Sequence, residues 1–262
     1  MTEFQHWLFR SRGHIATLSL NRPEESNSLI LEMFQELGEI TNRLRVDKDI
    51  WVVIVEGKGK HFSIGVDLSV IQSIIDYPEG PFRENLLAMQ QCLDSFEALE
   101  KPTIAKVHGF CLGGGLILAL CCDFRIASKR TVLGLPEVKR GVAVIAGTQR
   151  VTRVVGVAVA KEMILLCRNL NASMAKEYGL VHKVVPPEEL DQAAMSLAKK
   201  FLKLPPRTVG GAKRIINDGA SLTLRASQEL EIDVQAELID SPDFKEAISS
   251  YLEDRPPSFV GE

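Results

Sequence analysis

Two glycine-bearing turns are the segments of this sequence best suited to chemistry. One contains Gly65 and Val66, and the other contains a triple glycine at 113–115. Glycines remove side chains from the start of a helix, so that a ligand atom can approach the backbone NH groups there. Two NH groups aimed at one carbonyl oxygen would form an oxyanion hole, which stabilises negative charge on that oxygen. Either turn alone is equally well explained as a strand-to-helix connection, so the prediction rests on the pair.

One carboxyl group, that of Glu137, is the candidate acid or base. It follows Pro136 in an otherwise apolar segment, residues 133–138. Burial among apolar neighbours raises the pKa of a carboxyl group toward the range in which it can exchange protons at neutral pH. Most glutamates are solvated surface residues, so Glu137 is a candidate only in combination with the two glycine turns. We interpret His61 and His108, which lie beside the turns, as packing or surface residues rather than bases.

The composition indicates a globular chain and argues against several classes of protein. The 262 residues are 45% hydrophobic, which is enough to bury a full core. The net charge of -3 comes from mixed acids and bases, so neither nucleic acid nor a membrane is an expected partner. The five cysteines lack metal-ligand spacing and are expected to be reduced core residues, with no bound metal or cofactor. The first residues lack the pattern of a targeting signal, so the cytoplasm is the expected location.

Strand and helix signals alternate through the first two thirds of the chain. Apolar alternation or short apolar runs predict strands at 16–20, 51–55, 103–107, 124–127 and 180–185. Helical spacing predicts helices at 29–44, 82–99 and 158–166, the second of them packed on a sheet. This alternation predicts an α/β core, in which each glycine turn follows a buried strand.

Strand signals end near residue 187, and helical segments follow. These helices are predicted at 188–203, 206–216, 223–238 and 242–252, with proline or glycine between them. We therefore predict an α/β core over residues 1–187 that holds the site, and a helical region over residues 188–262. The most apolar stretch, 111–122, is shorter than the ~20 residues that span a bilayer and is expected to be buried.

The order and spacing of these segments resemble the crotonase, or enoyl-CoA hydratase/isomerase, superfamily. The similarity covers nearly the whole chain. Its landmarks are Asn21-Arg22-Pro23 with Asn27, then 62–68, Lys101-Pro102, 109–115, Cys122-Asp123, Pro136-Glu137 and 147–150. The resemblance implies a spiral of ββα units with a helical C-terminal trimerisation region, assembled as a homotrimer or a dimer of trimers. It also implies an acyl-CoA substrate, with coenzyme A as part of the substrate; an acyl group on a carrier protein is the alternative.

The resemblance assigns roles to the residues of the turns. The thioester oxygen would lie between the NH groups of Val66 and Gly114, where an enolate would be stabilised, and Glu137 would transfer protons. The remaining residues expected at the substrate are Ser63, Gly65, Asp67, Leu68, Gly113, Ile117 and Pro136. Asp67 is also expected to cap the helix that follows it.

One departure from the family pattern reduces the number of reactions that the site could catalyse. Hydratases of the family carry two glutamates; the first corresponds to Ile117 here, and the second is retained as Glu137. Ordinary hydration uses both carboxylates to hold and deprotonate one water, whereas a single glutamate can still move a proton between the α and γ carbons of an enolate. We therefore predict double-bond isomerisation or atypical hydration of an enoyl-CoA. The extra aspartate of dienoyl isomerases would fall at Ile145 and is absent.

Two alternatives stay open at this point. The hole could stabilise the enolate left by loss of CO2, which would make the protein a decarboxylase of a malonyl- or glutaconyl-type thioester. The protein could also be a catalytically silent relative that binds acyl-CoA. Positions where relatives place lysines near the CoA phosphates hold Glu25, Ser69 and Asp254. Contact with those phosphates is therefore expected from Lys58, Lys60 or Lys213.

Overall fold

Strands of two sheets form the centre of the fold in the computed structural model, which describes residues 4–73 and 78–262. The larger sheet has the spatial order β1 (Trp7–Arg12), β2 (Ile15–Leu20), β3 (Val52–Gly57), β4 (Thr103–Val107), β6 (Phe124–Ser128) and β9 (Lys183–Val185). The smaller sheet contains β5 (Phe110–Leu112), β7 (Val132–Gly134) and β8 (Leu170–Asn171). β1 and β2 are antiparallel, and all later pairs of the larger sheet are parallel, so their carboxyl ends share one edge.

Helices follow most of these strands. They are α1 (Leu31–Val46), α2 (Leu68–Ser73), α3 (Glu79–Glu97), α4 (Gly114–Leu120), α5 (Thr148–Leu165), α6 (Ala172–Glu177), α7 (Leu190–Phe201), α8 (Pro206–Gly219), α9 (Leu224–Leu238) and α10 (Pro242–Leu252). The predicted α/β core with a helical C-terminal region is confirmed. α5 begins ten residues before its predicted start at 158, because it continues across a kink at Gly156, whose φ is 77°.

The larger sheet separates two hydrophobic cores. Val53 and Val55 of β3 belong to the main core, whereas Val52 and Ile54 belong to the second, as the alternation of side chains along a strand requires. α7 covers the second core, partly through Ala194. α7 packs on the sheet, and α8 to α10 follow it. The division of the chain at residues 187 and 188 stays a prediction.

α3 differs from the sequence-based expectation in what lies beneath it. The helix is present, but its buried residues, Leu93 and Phe96, are both in its C-terminal half. Its N-terminal half presents Phe82, Leu86 and Met89 to a cavity. The prediction of a helix packed on a sheet is therefore wrong for this half of α3. Apolar spacing alone does not reveal whether the apolar face meets other side chains or an empty space.

The C-terminal half of α3 is fixed to the start of α5 by ion pairs. The Arg150 guanidinium donates to the Glu97 carboxylate at 2.8 Å and also contacts Asp94. A second donor of the same guanidinium bonds the carbonyl of Ala146 at 2.6 Å. α3 therefore has one firmly held end and one end that faces the cavity.

Among the described residues, no helix has the length and apolar character needed to cross a membrane. The same residues contain no group of three or more His, Cys, Asp or Glu side chains that could hold a metal ion. The cysteines are free thiols, and all except Cys92 are buried.

Candidate active site

Backbone hydrogen bonds hold the two glycine turns together. The NH of Leu112 donates to the carbonyl of Ser63 at 3.0 Å, and the NH of Ser63 donates to the carbonyl of Phe110 at 3.1 Å. These bonds join the first turn to β5, the strand that leads directly into the second turn. The sheet order thus brings together two segments that are distant in sequence.

The NH of Val66 is left free by the bonding of its neighbours. The carbonyl of Gly65 accepts the NH of Leu29 at 2.8 Å, and the NH of Asp67 donates to the carbonyl of Leu29 at 2.9 Å. Val66 is the central residue of this parallel bridge, and its own NH takes no part in it. Within residues 4–73 and 78–262, the Val66 NH therefore has no hydrogen-bond partner.

The NH of Gly114 is free because of its place at the start of a helix. Gly114 is the first residue of α4, where NH groups have no acceptor within the helix. The preceding Gly113 has φ 51° and ψ -129°, a conformation that glycine adopts without steric cost. The NH of Gly113 is used in the fold, since it donates to the carbonyl of Gly134 at 2.9 Å.

The two free NH groups lie close to each other. A Cβ atom added to Gly114 would lie 3.5 Å from the Val66 nitrogen, and one added to Gly65 would lie 3.2 Å from the Gly114 nitrogen. Gly65 has a φ of 96°, which again requires glycine. Two donors this close can bond one oxygen atom, which is the geometry of an oxyanion hole.

Glu137 lies beside the second turn, at the start of a short 3-10 helix. A Cβ atom added to Gly113 would lie 3.0 Å from its Oε1. Its other oxygen, Oε2, is buried without a hydrogen-bond partner among the described residues. Burial raises the pKa of Glu137 from its ordinary value of 4.5, while its own backbone NH and Arg140 act more weakly in the opposite direction. A half-buried carboxyl group with one buried, unused oxygen is typical of a proton-transfer residue.

The raised pKa makes Glu137 a source of instability at neutral pH. Between the unfolded pKa and the higher folded pKa the native state binds more protons, so the free energy of unfolding falls as pH rises through this window. We expect Glu137→Gln to be more stable than wild type at pH 7, with the difference shrinking as pH falls through this window and levelling off below the ordinary value of 4.5. Urea titrations at several pH values measure this. A glutamine variant less stable than wild type at pH 7 would contradict it.

The hole and Glu137 open onto a cavity of about 700 Å³ with mainly apolar walls. Seven of the predicted site residues line it: Gly65, Val66, Gly113, Gly114, Ile117, Pro136 and Glu137. Within the described part of the chain, the polar side chains in the lining are those of Asn85, Glu137 and Arg140. A largely apolar wall keeps water away and strengthens the hydrogen bonds that the NH groups make to a developing charge.

Ser63 lies behind the hole rather than in the cavity lining. It is fully buried, its hydroxyl donates to the carbonyl of Asn27 at 2.7 Å, and the same oxygen accepts the NH of Gly65 at 3.2 Å. A Cβ atom added to Gly115 would lie 2.6 Å from the Cβ of Ser63. Ser63 therefore shapes the first turn, and the third glycine is required by close packing against it.

Asp67 and Leu68 also lie outside the cavity lining. The Asp67 carboxylate accepts the NH of Ser69 at 2.9 Å, which confirms the predicted cap of α2, and it accepts the Ser28 hydroxyl at 2.6 Å. These hydrogen bonds, with Arg22 nearby, lower the pKa of Asp67 to about 2, so it is ionised at neutral pH. Leu68 is 59% exposed. Contact of these two residues with a substrate stays a prediction.

The family resemblance places Ile117 at the position of the first hydratase glutamate. It is 6% exposed and lines the cavity. A Cβ atom added to Gly147 would lie 2.6 Å from its Cγ1, so Ile117 packs tightly against the start of α5. The cavity therefore has an alkyl surface at this position.

His61 and two of the three candidate lysines are engaged in the fold. His61 stacks on Phe110 with ring centroids 4.6 Å apart, in agreement with a packing role. Lys58 is paired with Glu56 at 2.5 Å. Lys213 has a side chain only 9% exposed, paired with Asp123 at 2.9 Å. Its contact with a CoA phosphate stays a prediction. Lys60 has no ion-pair partner in the described part of the chain.

Part of the cavity wall was not identified from the sequence. α1 and α3 supply it through Leu31, Phe34, Phe82, Leu86, Met89 and Leu93. The only available signal was apolar residues at helical spacing, which is the same for a core helix and for a helix that lines a binding cavity.

This fold, with paired NH groups beside a buried carboxyl group, is that of the crotonase class of enzymes. The chain belongs to the enoyl-CoA hydratase/isomerase family, whose sequence profile matches residues 10–262. A short-chain-enoyl-CoA hydratase of Clostridium acetobutylicum is 34% identical over 255 residues, which cover 97% of each chain. A peroxisomal Delta(3,5)-Delta(2,4)-dienoyl-CoA isomerase of Arabidopsis thaliana is 31% identical over 254 residues, covering 93% of this chain and 91% of the relative.

A solved structure gives the same result. The crystal structure of an enoyl-CoA hydratase from Bacillus anthracis has a TM-score of 0.91 and 34% identity, and it covers 98% of this chain and 100% of its own. The names of these relatives include both a hydratase and an isomerase. The choice between the two reactions therefore depends on the residues of the site.

Proposed function

We propose that this protein is an enoyl-CoA isomerase, which moves the double bond of its substrate between the β,γ and α,β positions. One observation carries the proposal: among the described residues that line the cavity, Glu137 has the one carboxyl group, and Ile117, which the family resemblance places at the position of the other glutamate, presents an alkyl side chain. An acyl group on a carrier protein would present the same thioester and is the alternative form of the substrate. The bound molecule brings its own coenzyme A, and no further cofactor takes part.

The first step is removal of a proton from the α carbon. The thioester oxygen accepts hydrogen bonds from the NH groups of Val66 and Gly114, and the carboxylate of Glu137 takes the α proton. The electrons of the broken C–H bond pass to the carbonyl oxygen and form a dienolate. Each NH donor stabilises this charge by about 3 kcal/mol, judged from the loss of such donors in other enzymes.

The second step returns the proton to the γ carbon. Protonated Glu137 delivers it, the double bond shifts to the α,β position, and the carbonyl is restored. The apolar surface of Ile117 disfavours a bound water on that side, so that the carboxyl group exchanges its proton with the substrate rather than with solvent. The raised pKa of Glu137 suits both steps, because the group must accept and then release the same proton.

The test is to incubate the enzyme with a 3-enoyl-CoA and a 2-enoyl-CoA and identify the products by mass spectrometry. The proposal expects interconversion of the two, with partial transfer of the original proton when the reaction is run in D2O. A 3-hydroxyacyl product as the main outcome would show hydration, for which the hydratase relatives are the supporting observation. Release of CO2 from a malonyl- or glutaconyl-type thioester, or no turnover at all, would also contradict isomerisation.

Ile117→Glu is expected to shift the reaction toward hydration. The new carboxylate would restore an acceptor for a water molecule opposite Glu137, and it would also raise the pKa of Glu137 through repulsion of like charges. We expect the ratio of hydration to isomerisation to rise about tenfold or more, with an overall loss of stability from the second buried charge. The matched control is Ile117→Gln, which has similar size without the charge. An equal ratio in both variants would contradict the assignment.

We further propose that the protein assembles as a homotrimer or a dimer of trimers through its C-terminal helices. Large apolar side chains on these helices support this, because they are more than half exposed in the single chain. They include Ile216, Leu224, Ile232, Tyr251 and Leu252. Large exposed apolar patches mark interfaces between protein chains, and burial of these side chains in such an interface would remove them from water.

A further inference from the structure

A second cavity lies between α1 and α3, next to the one that contains Glu137. Its volume is about 320 Å³. The two cavities share four lining residues, Leu31, Phe34, Asn85 and Met89. Because the same side chains line both spaces, the partition between the cavities consists of side chains.

The partition contains one side chain that moves easily. Met89 is half-buried, and methionine is unbranched and adapts its shape to its surroundings. Phe34 is held more firmly: it is 9% exposed, and its backbone carbonyl accepts the Cys92 thiol at 2.8 Å. A rotation of Met89 is therefore the simplest way to join the two cavities.

An apolar stripe of α3 leads from the first cavity to this partition. Phe82, Leu86, Met89 and Leu93 are spaced so that they lie on one face of the helix, and all four line the first cavity. From the first of them to the last the helix rises about 16 Å. The first three are only partly buried, so within residues 4–73 and 78–262 this face has fewer packing partners than the buried face of a core helix.

We propose that the substrate carries a medium or long unbranched acyl chain, which lies beneath α3, passes Met89 and ends in the second cavity. This inference rests on the proposed function, because it assumes an acyl thioester in the first cavity. The alkyl chain supplies the missing packing for the stripe of α3. Exposed Gln35, Asn42 and Gln91 place the far side of the second cavity at the protein surface, so the end of a longer chain can reach solvent.

Binding of saturated acyl-CoA esters tests the proposal without any need for turnover. Titration calorimetry with butanoyl-, octanoyl- and dodecanoyl-CoA should show the Kd falling by about two- to fourfold for each added methylene. Equal Kd values for the butanoyl and dodecanoyl esters would overturn it. The same ligands bound to Glu137→Gln separate the two proposals: the gradient in Kd should persist in that variant even though its turnover is lost.

Gly38→Leu tests the second cavity directly. Gly38 lines that cavity and not the first, and a Cβ atom added there meets only the Cys92 sulfur, at 3.9 Å. Leucine is also a better helix former than glycine, so α1 should fold. The added side chain fills the second cavity, and the preference for dodecanoyl- over butanoyl-CoA should fall by about tenfold. An unchanged preference in this variant would overturn the proposal.

Two further variants complete the experiment. Gly80→Leu, at the start of α3, adds the same side chain where no described residue lies within 4 Å and outside both cavity linings, so the chain-length preference should match wild type. Met89→Ala widens the passage and should increase the preference for dodecanoyl-CoA. Amide hydrogen exchange of residues 79–92 provides an independent measurement: dodecanoyl-CoA should slow exchange there more than butanoyl-CoA does. Equal slowing by the two esters would contradict a chain beneath α3.

Discussion

Glu137→Gln is expected to lower the rate of isomerisation by about 10²–10⁴-fold, because an amide of the same shape cannot accept the α proton. Binding of a saturated acyl-CoA should change little, since the NH groups and the apolar walls are retained. The measurement is the initial rate of double-bond migration together with deuterium exchange at the α carbon in D2O. Equal exchange in wild type and variant would remove Glu137 from the mechanism.

The pH dependence gives a second measurement of the same assignment. Glu137 acts as a base only when ionised, so the rate should fall as pH is lowered through its raised pKa, with the apparent pKa above the ordinary 4.5. Glu137→Asp is the matched control, because it keeps the acid but withdraws it from the substrate. It should retain a pH-dependent rate at a lower level, whereas the residual rate of the glutamine variant should not follow this titration.

Gly114→Pro is expected to lower the rate by about 10²–10³-fold, because proline removes one of the two NH donors of the oxyanion hole. Proline is tolerated at the first position of a helix, where the NH has no acceptor within the helix, so α4 should still form. The loss should appear mainly in kcat, since the negative charge on the oxygen develops after the substrate is bound.

Gly114→Ala is the matched control for this experiment. It adds a Cβ atom in the same place, 3.1 Å from a methyl group of Leu29 and 3.2 Å from one of Val66, but it keeps the NH. The difference between the alanine and proline variants therefore reports the NH itself, provided both have similar melting temperatures. Similar rates in the two variants would show that the Gly114 NH does not contact the reacting oxygen.

The sequence predicted best the elements whose burial is uniform or strictly periodic. The apolar runs at β3 and β4 and the helical spacing of α1 each identified an element close to its observed bounds. The strands β5, β7 and β8 have only two or three residues, which is too few to show a period of two. β1 was missed because its second half is exposed at the sheet edge, where Arg10 and Arg12 break the alternation.

The candidate site was predictable where backbone geometry demands a particular residue. Glycines at positive φ, such as Gly65 and Gly113, leave a visible trace in the sequence. The unpaired oxygen of Glu137 and the contact between Ile117 and Gly147 leave none, because both depend on segments that only the fold brings together. The second cavity could not be predicted for the same reason, because its lining residues have the spacing of ordinary faces of α1 and α3.

The ion pairs that fix α3 to α5 lie in the C-terminal half of α3, and its N-terminal half lines the cavity. Arg150, Asp94 and Glu97 lie away from the residues that face the substrate chain, and the glycine turns lie on other segments altogether. Substitutions in the N-terminal half of α3 are therefore expected to alter which acyl groups are accepted while the glycine turns and Glu137 stay unchanged. A library randomised in that half-helix should yield new chain-length preferences with few inactive members.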